Sequence, residues 1–415
     1  MNGEISAGAP LVVNDVVCGF CGLGCDDLVV EVTGRDVRPT ASVCPEAARL
    51  LRRLDTGAGI GPASGEVYDQ ARILLGSARA PVFAGLGADV EGGRAILDLA
   101  ARTGGVLDHA ASGGLFANYA AAQRTGWLST TLAEVRNRCD VLLVIGEDPT
   151  AAFGRFFERA LPGQALFAAS RHVIVLGGAL GAQARRQLGA ARVTELAAGD
   201  ADGDPVAALS ALAQLVAGPP PRGSSFGGVA AEALAEAAAA LKGAAYAVAT
   251  WNAASLERAD LVAERATRLI DALNATTRAG VFPLGGRDNI IGINQLLLWR
   301  LGYPLRTAIR GDGSEHDPAL YATEAALGDA DLLVWVSAFR PEPPPEFDGP
   351  VIVIGHPDTE FATPPDVFIP VGTPGVDHAG TVFRMDSIVS LPLGALRVAT
   401  LPSVAEAVRR LVPAR

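Results

Sequence analysis

Short apolar runs, most of them closed by Gly or Pro, recur along this chain with Ala/Leu-rich stretches between them. They are PVFAGLG (81–87), DVLLVIGEDP (140–149), RHVIVLGG (171–178), YAVATWN (246–252), RAGVFPLGG (278–286), ADLLVWVSA (330–338), GPVIVIGHP (349–357) and PDVFIPVG (365–372). A run this short without polar alternation has both faces buried, as strands of a parallel sheet do, and the helical stretches supply the crossovers. The pattern predicts an α/β fold of Rossmann-like parallel-sheet domains, and 415 residues, 49% of them hydrophobic, can fill such cores. GPPPRGSSFGG (218–228) is dense in Pro, Gly and Ser and reads as a linker. It divides the chain into a small N-terminal four-cysteine segment (1–60), a first Rossmann-like α/β domain (61–217) and a second α/β domain (229–415). FRPEPPPEFDG (339–349) reads as a Pro-rich turn rather than a helix.

Charge narrows the partners. A formal net charge of −11 argues against nucleic acid and anionic membranes. Of 34 basic residues only Lys242 is a lysine, a bias that fits a GC-rich genome. No signal peptide opens the sequence, and no apolar run reaches the ~20 residues that span a bilayer. A cytoplasmic location is expected, where clustered cysteines serve as metal or cluster ligands more readily than as disulfides.

Four of the five cysteines cluster. Cys18, Cys21, Cys25 and Cys44 are spaced C-x2-C-x3-C-x18-C, with glycines that let three sulfurs converge and a fourth that closes the site from a distance. Four thiolates suit a [4Fe–4S] cluster or a tetrahedral zinc. Zinc ribbons usually show two C-x2-C pairs, which this spacing lacks, and a third reading leaves the thiols as small hydrophobes. Cys139, just before a strand, reads as core.

The remaining motifs are weaker. No turn carries G-x-G-x-x-G, and the glycines of AGLGADVEGG read as a tight βα turn. GGRDNIIGINQ (285–295) gathers Arg287, Asp288, Asn289, Asn294 and Gln295, and reads either as a ligand loop or as a polar loop capping the next helix. IRGDGSEHDP (309–318) brings Arg310, Asp312, Glu315, His316 and Asp317 close in sequence. A solvated turn accounts for it as well as a metal site does. His109, His316, His356 and His378 lack ligand spacing, and there is no P-loop, H-E-x-x-H or Ser-His-Asp order.

CDDLVVEV after the third cysteine, TTLAEVRNRCDVLLVIGEDP (130–149), GINQLLLWRLGYP (292–304) and GTVFRMDS (380–387) together resemble the B subunit of formylmethanofuran dehydrogenase, of the molybdopterin oxidoreductase superfamily. The resemblance spans nearly the whole chain. It implies a molybdopterin-oxidoreductase-like fold, a [4Fe–4S] cluster on the four cysteines, and a molybdopterin or tungstopterin guanine dinucleotide at which CO2 and formate interconvert. Residues Arg287, Asn289, Asn294 and Arg384 fall in stretches that line the pterin cavity. A relative in methylotrophic bacteria, the formyltransferase/hydrolase complex, moves a formyl group from tetrahydromethanopterin to a methanofuran-type carrier and releases formate without a redox step. The partners implied are an amidohydrolase-like A subunit, a C subunit and a formyltransferase D subunit.

Against that family pattern this sequence departs at the sites of redox chemistry. Gly113 and Gly114 stand where a cysteine would bind the metal. Gly177 and Gly178 follow VIVL where an acid would meet the guanosine ribose. TAAFGRFFERA follows GEDP where the family tends to a histidine-containing run. CPEAARLLRRL offers arginines, Arg49 nearest, where relatives place a lysine between cluster and pterin. The expected reading is the B subunit of the methylotroph-type complex, with the pterin absent, its cavity vestigial and its own catalysis lost. The alternative is an active tungsten or molybdenum dehydrogenase component.

Overall fold

The computed structural model describes residues 10–51, 60–196, 203–311 and 313–412. It divides into two compact units, one formed by residues 1–112 with 286–415 and the other by 113–285.

The first unit opens with an antiparallel meander of strands Leu11–Val16, Leu28–Thr33 and Asp36–Ala41. Alternate residues of the middle strand, Leu28, Val30 and Val32, face inward as the two-residue pleat requires. Helix Pro45–Leu51 follows. The main sheet has seven strands in the order 313–316, 307–310, 105–107, 81–87, 332–337, 351–355, 367–370. The last five pair in parallel, and strand 307–310 runs antiparallel to both its neighbours. Val82, Ala84, Leu333, Trp335 and Val353 build the core on one face. Helix Val90–Thr103 packs closely at Gly93, where a Cβ would come within 3.0 Å of Ile293. The strand order reverses between 81–87 and 332–337, and the ends of these two strands are the natural crevice of an open α/β sheet.

The second unit carries five parallel strands in the order 279–281, 247–251, 141–145, 172–176, 192–196. Numbered along the chain this is 5-4-1-2-3, a doubly wound arrangement whose switch point lies between 141–145 and 247–251. Helices Pro205–Ala217, Ala231–Lys242 and Ala259–Leu273 contribute Leu209, Leu212, Leu234, Leu241, Val262, Leu269 and Ile270 to its core.

The apolar runs are strands, as their pattern predicts, but their grouping is nested rather than sequential. Strands of 81–107 pair with those of 307–370, and strands of 141–196 with those of 247–281. The stretch 218–228 lies inside the second unit, and the chain passes between units near 112 and 285 instead. Pro, Gly and Ser report local chain flexibility, whereas strand pairing is decided by long-range burial. Strands Arg192–Leu196 and Gly313–His316 are half-exposed and polar, and Thr307–Arg310, though buried over its first three residues, offers only Ala-Ile between Thr and Arg, so no apolar run announces them. Among the described residues no helix is long and apolar enough to cross a membrane.

Candidate functional site

The four cysteines gather at the meander's edge. Cys18, Cys21 and Cys25 lie on one loop, closed by the Cys18 N–H donating to the Cys25 carbonyl at 2.8 Å. Gly22 (φ 79°) and Gly24 (φ 62°) give this loop left-handed turns that a side chain would strain. Cys44 begins the helix 45–51, its Sγ accepting from the Ala47 N–H at 3.4 Å. None of the four is in a disulfide. Burial pushes the Cys18 thiol well above its usual range, and Cys21, Cys25 and Cys44 push it the same way. Cys21 is raised to about 11, mainly by burial, with Cys44 and Asp288 adding and Arg340 opposing. The four thiols therefore share one neighbourhood.

Among the described residues no three His, Cys, Asp or Glu side chains converge as one metal ion requires. Zinc would need its sulfurs about 2.3 Å from a common point. A cuboid cluster spreads its four sulfurs more widely, and the number and kind of donors fit that group. Cys139 is fully buried beside strand 141–145, its thiol donating to the Val141 carbonyl, in keeping with a core role.

Against the cysteine loop stands the loop 286–289. Gly286, Asp288 and Asn289 all have positive φ (92°, 51° and 63°), a costly backbone for the latter two. Their side chains hold it in place. The buried Asp288 carboxylate accepts from Arg340 Nε at 2.8 and 2.9 Å and from Arg287 Nε at 3.0 Å. Burial pushes this carboxyl up while Arg340 and Arg287 pull it down. Asp288 N–H donates to the Phe20 carbonyl at 3.1 Å, between Cys18 and Cys21. Arg340 also donates to that carbonyl at 3.0 Å and to Glu46 at 2.9 Å, two residues past Cys44. His109 Nδ1 accepts the Ala111 N–H, so its proton sits on Nε2 and points to the Asp288 carbonyl at 3.3 Å. Burial holds this imidazole neutral, at about 3.

The residues that sequence offered as cofactor contacts are engaged within the chain. Arg287 pairs with Glu342 as well as Asp288. Asn289 donates to the Ala88 carbonyl and accepts from the Phe383 N–H, both at 2.9 Å. Asn294 Oδ1 accepts from Leu305 N–H at 3.1 Å, and Arg384 is clamped to Asp386. In the 309–318 stretch, Glu315 meets the Tyr321 hydroxyl, His316 the Arg306 carbonyl, and Asp317 the N–H groups of Ala319 and Leu320. These three point to separate partners, and Asp312 lies outside the described residues. The turn AGLGADVEGG has its helix N-terminus capped by buried Asp89, which accepts from Gly92 N–H at 3.1 Å. A cation beside the cysteines is Arg340, hidden in the Pro-rich turn; Arg49 instead pairs with Glu46 with its side chain 60% exposed.

The crevices at the two switch points are filled by the chain's own atoms. In the first unit, Ala338 N–H donates to the Gly87 carbonyl at 2.8 Å. The Asp288 Cβ lies 3.6 Å from where a Gly87 Cβ would be, so the 286–289 loop plugs the gap. In the second unit the crevice is a cavity of roughly 20 Å³ lined by Glu147, Asp148, Trp251 and Asn252, the space of about one water. A Cβ at Gly178 would fall within 3.0 Å of the Gly146 carbonyl oxygen, so the two βα turns touch backbone to backbone. Two N–H donors of the turn after strand 172–176 are taken by carboxylates. Asp148 accepts from Gly181 at 2.8 Å and Glu195 from Leu180 at 2.7 Å. A phosphate at this turn would have to displace both. Gly114 is closed too, a Cβ there meeting Ala254 N at 3.0 Å, whereas Gly113 faces open space.

No family model matches the chain. Over 325 residues it is 31% identical to the B subunit of the formyltransferase/hydrolase complex of Methylorubrum extorquens, covering 76% of this chain and 84% of that one. The chain belongs to that family of B subunits. Two further relatives are the B subunits of the tungsten-containing formylmethanofuran dehydrogenases 2 of Methanocaldococcus jannaschii and Methanococcus maripaludis. Each is 23% identical over 410 residues and covers 91% of this chain. The crystal structure of the M. extorquens formyltransferase/hydrolase complex with methylofuran contains a chain of similar fold. Its TM-score is 0.69 at 27% identity, covering 85% of this chain and 96% of that one. At Gly178 a Cβ would fall within 3.0 Å of backbone, and at Gly114 it would be tightly packed against the Ala254 N at 3.0 Å.

Proposed function

We propose that this chain is the B subunit of a formyltransferase/hydrolase complex, a noncatalytic scaffold on a molybdopterin-oxidoreductase-like fold. Its partners are an amidohydrolase-like A subunit, a C subunit and a formyltransferase D subunit, and the complex holds a methanofuran-type carrier. The formyl group passes from tetrahydromethanopterin to the carrier and leaves by hydrolysis as formate. The carbon keeps its oxidation state throughout, so no electron path through this chain is needed.

The observation that carries the scaffold reading is crowding at the strand ends of the second unit, both at the switch point and at the neighbouring turn after strand 172–176. Gly178 rests on the Gly146 carbonyl, and Asp148 and Glu195 occupy two of the turn's donors. The nucleotide of a pterin guanine dinucleotide does not fit a cavity of roughly 20 Å³. Arg287, Asn289, Asn294 and Arg384 would then act as internal ties of a vestigial cavity. The four cysteines remain the candidate ligands of a [4Fe–4S] cluster.

Co-expression with the three partner proteins tests the proposal. The expected result is a co-purifying assembly that releases formate from formyl-tetrahydromethanopterin with no electron acceptor, and that loses this activity when the chain is omitted. Formate release that proceeds unchanged without this chain would overturn it.

A further inference from the structure

One side chain from outside the four-cysteine segment reaches both its cysteine loop and the helix that follows Cys44. Arg340 follows strand Leu332–Ser337 and is about 300 residues distant in sequence from the cysteines. Its guanidinium reaches three places at once. Nη2 donates to the Phe20 carbonyl at 3.0 Å, on the loop between Cys18 and Cys21. Nη1 donates to Glu46 at 2.9 Å, on the helix that Cys44 begins. Nε binds the buried Asp288 carboxylate, whose own N–H returns to the Phe20 carbonyl. A planar fork with five donors can join three acceptors in fixed directions, which the point charge of a lysine cannot.

The geometry points to Arg340 as the positioning residue of the four-thiol site, tying the Cys18–Cys25 loop to the Cys44 helix so that the ligand set is arranged before any iron arrives. It joins the same two segments that an iron–sulfur cluster on these cysteines would join. The brace is made wholly of protein groups, so the segment keeps its fold in the iron-free chain. Met385 N–H adds a second tie to the Gly22 carbonyl at 2.8 Å, which leaves Arg340 as the link that also reaches the Cys44 side. The proposal rests on the four cysteines being a ligand set, but the fold of the segment can be read separately from its iron.

The test uses the full-length chain, iron-free and after anaerobic reconstitution with ferrous iron and sulfide, as wild type, Arg340→Met, Arg340→Lys and Glu46→Gln. Limited proteolysis followed by mass spectrometry reads cleavage within 10–51, and circular dichroism checks the rest of the fold. Removing one side of a buried ion pair is strongly destabilising, so Arg340→Met should be cleaved there at least about tenfold faster than wild type in the iron-free state. Arg340→Lys should recover part of the protection. Glu46→Gln, which keeps an acceptor and the buried Asp288 pair, should show a smaller effect and covers the case in which Arg340→Met fails to fold. Reconstituted wild type should hold about four iron atoms per chain and Arg340→Met fewer than half as many.

If wild type takes up no iron but Arg340→Met is still cleaved faster, the brace stands and the cluster reading falls. Equal protease resistance in wild type, Arg340→Met and Glu46→Gln overturns the proposal. So does a wild-type segment that is protected only when iron is bound.

Discussion

Replacing Gly178 by alanine probes the close approach of the turns after strands 141–145 and 172–176, beside the switch point. The new Cβ would sit within 3.0 Å of the Gly146 carbonyl oxygen, and a comfortable C···O contact needs about 3.3 Å or more. The turn at Gly146 has to retreat by about 1 Å. It is anchored by its own N–H donating to the Leu176 carbonyl at 2.9 Å, so retreat strains or breaks that bond. Overpacking of about 1–3 kcal/mol and a lost hydrogen bond of about 1 kcal/mol give a cost near 3 kcal/mol. For a unit of this size that lowers Tm by about 6–12 °C. Two controls separate crowding from backbone effects. Gly177 has φ 83° but open space, so Gly177→Ala should cost about 1 kcal/mol. Gly113 has open space and no positive φ, so Gly113→Ala should fall within about 0.5 kcal/mol of wild type. Calorimetry and urea melts of the three variants read the order 178, 177, 113. A Gly178→Ala chain that melts with wild type would refute this close approach of the two turns.

Three other outcomes follow from the same contacts. Asp148→Ala leaves the Gly181 and Thr150 N–H groups without their acceptor and should cost about 1–2 kcal/mol in urea denaturation; Asp148→Asn, which keeps one oxygen, should cost less. Gly113→Cys should fold normally yet bring no formate oxidation, while Gly114→Cys should lose about 1–3 kcal/mol against the Ala253–Ala254 backbone, read as Tm and dye reduction. Burial beside Arg287 and Arg340 holds His109 at about 3, below its usual 6.5. Its contribution is therefore complete above about pH 6.5 and is lost as pH falls toward 3. His109→Gln should remove up to about 1.4 kcal/mol per pH unit of acid sensitivity across that window, and an unchanged pH slope of unfolding would contradict the assignment.

The strands were legible because a buried parallel strand is a short apolar run, and PVFAGLG or DVLLVIG can be little else. Their partners were not. Which sheet strand 81–87 enters depends on burial against Trp335 and Val353, some 250 residues on, which no local pattern carries. The cysteine cluster was legible from its spacing as a candidate ligand set. Its brace was not: Arg340 sits in FRPEPPPEFDG, where proline dominates the reading, and its role appears only when strand 332–337 delivers it to the first unit's switch point. The glycines at 114 and 178 stood out only against the family pattern; that a side chain at 178 would collide with the Gly146 carbonyl, and one at 114 would press on Ala254, required the neighbouring turns.

Closure of the redox site in this fold is tested most directly by tungsten and molybdenum analysis of the anaerobically purified complex, paired with dye-linked formate oxidation. A closed site should give no stoichiometric tungsten, molybdenum or pterin and no formate-dependent dye reduction, alongside intact formyl transfer. One tungsten or molybdenum per chain with formate oxidation would mean that the site is open and working.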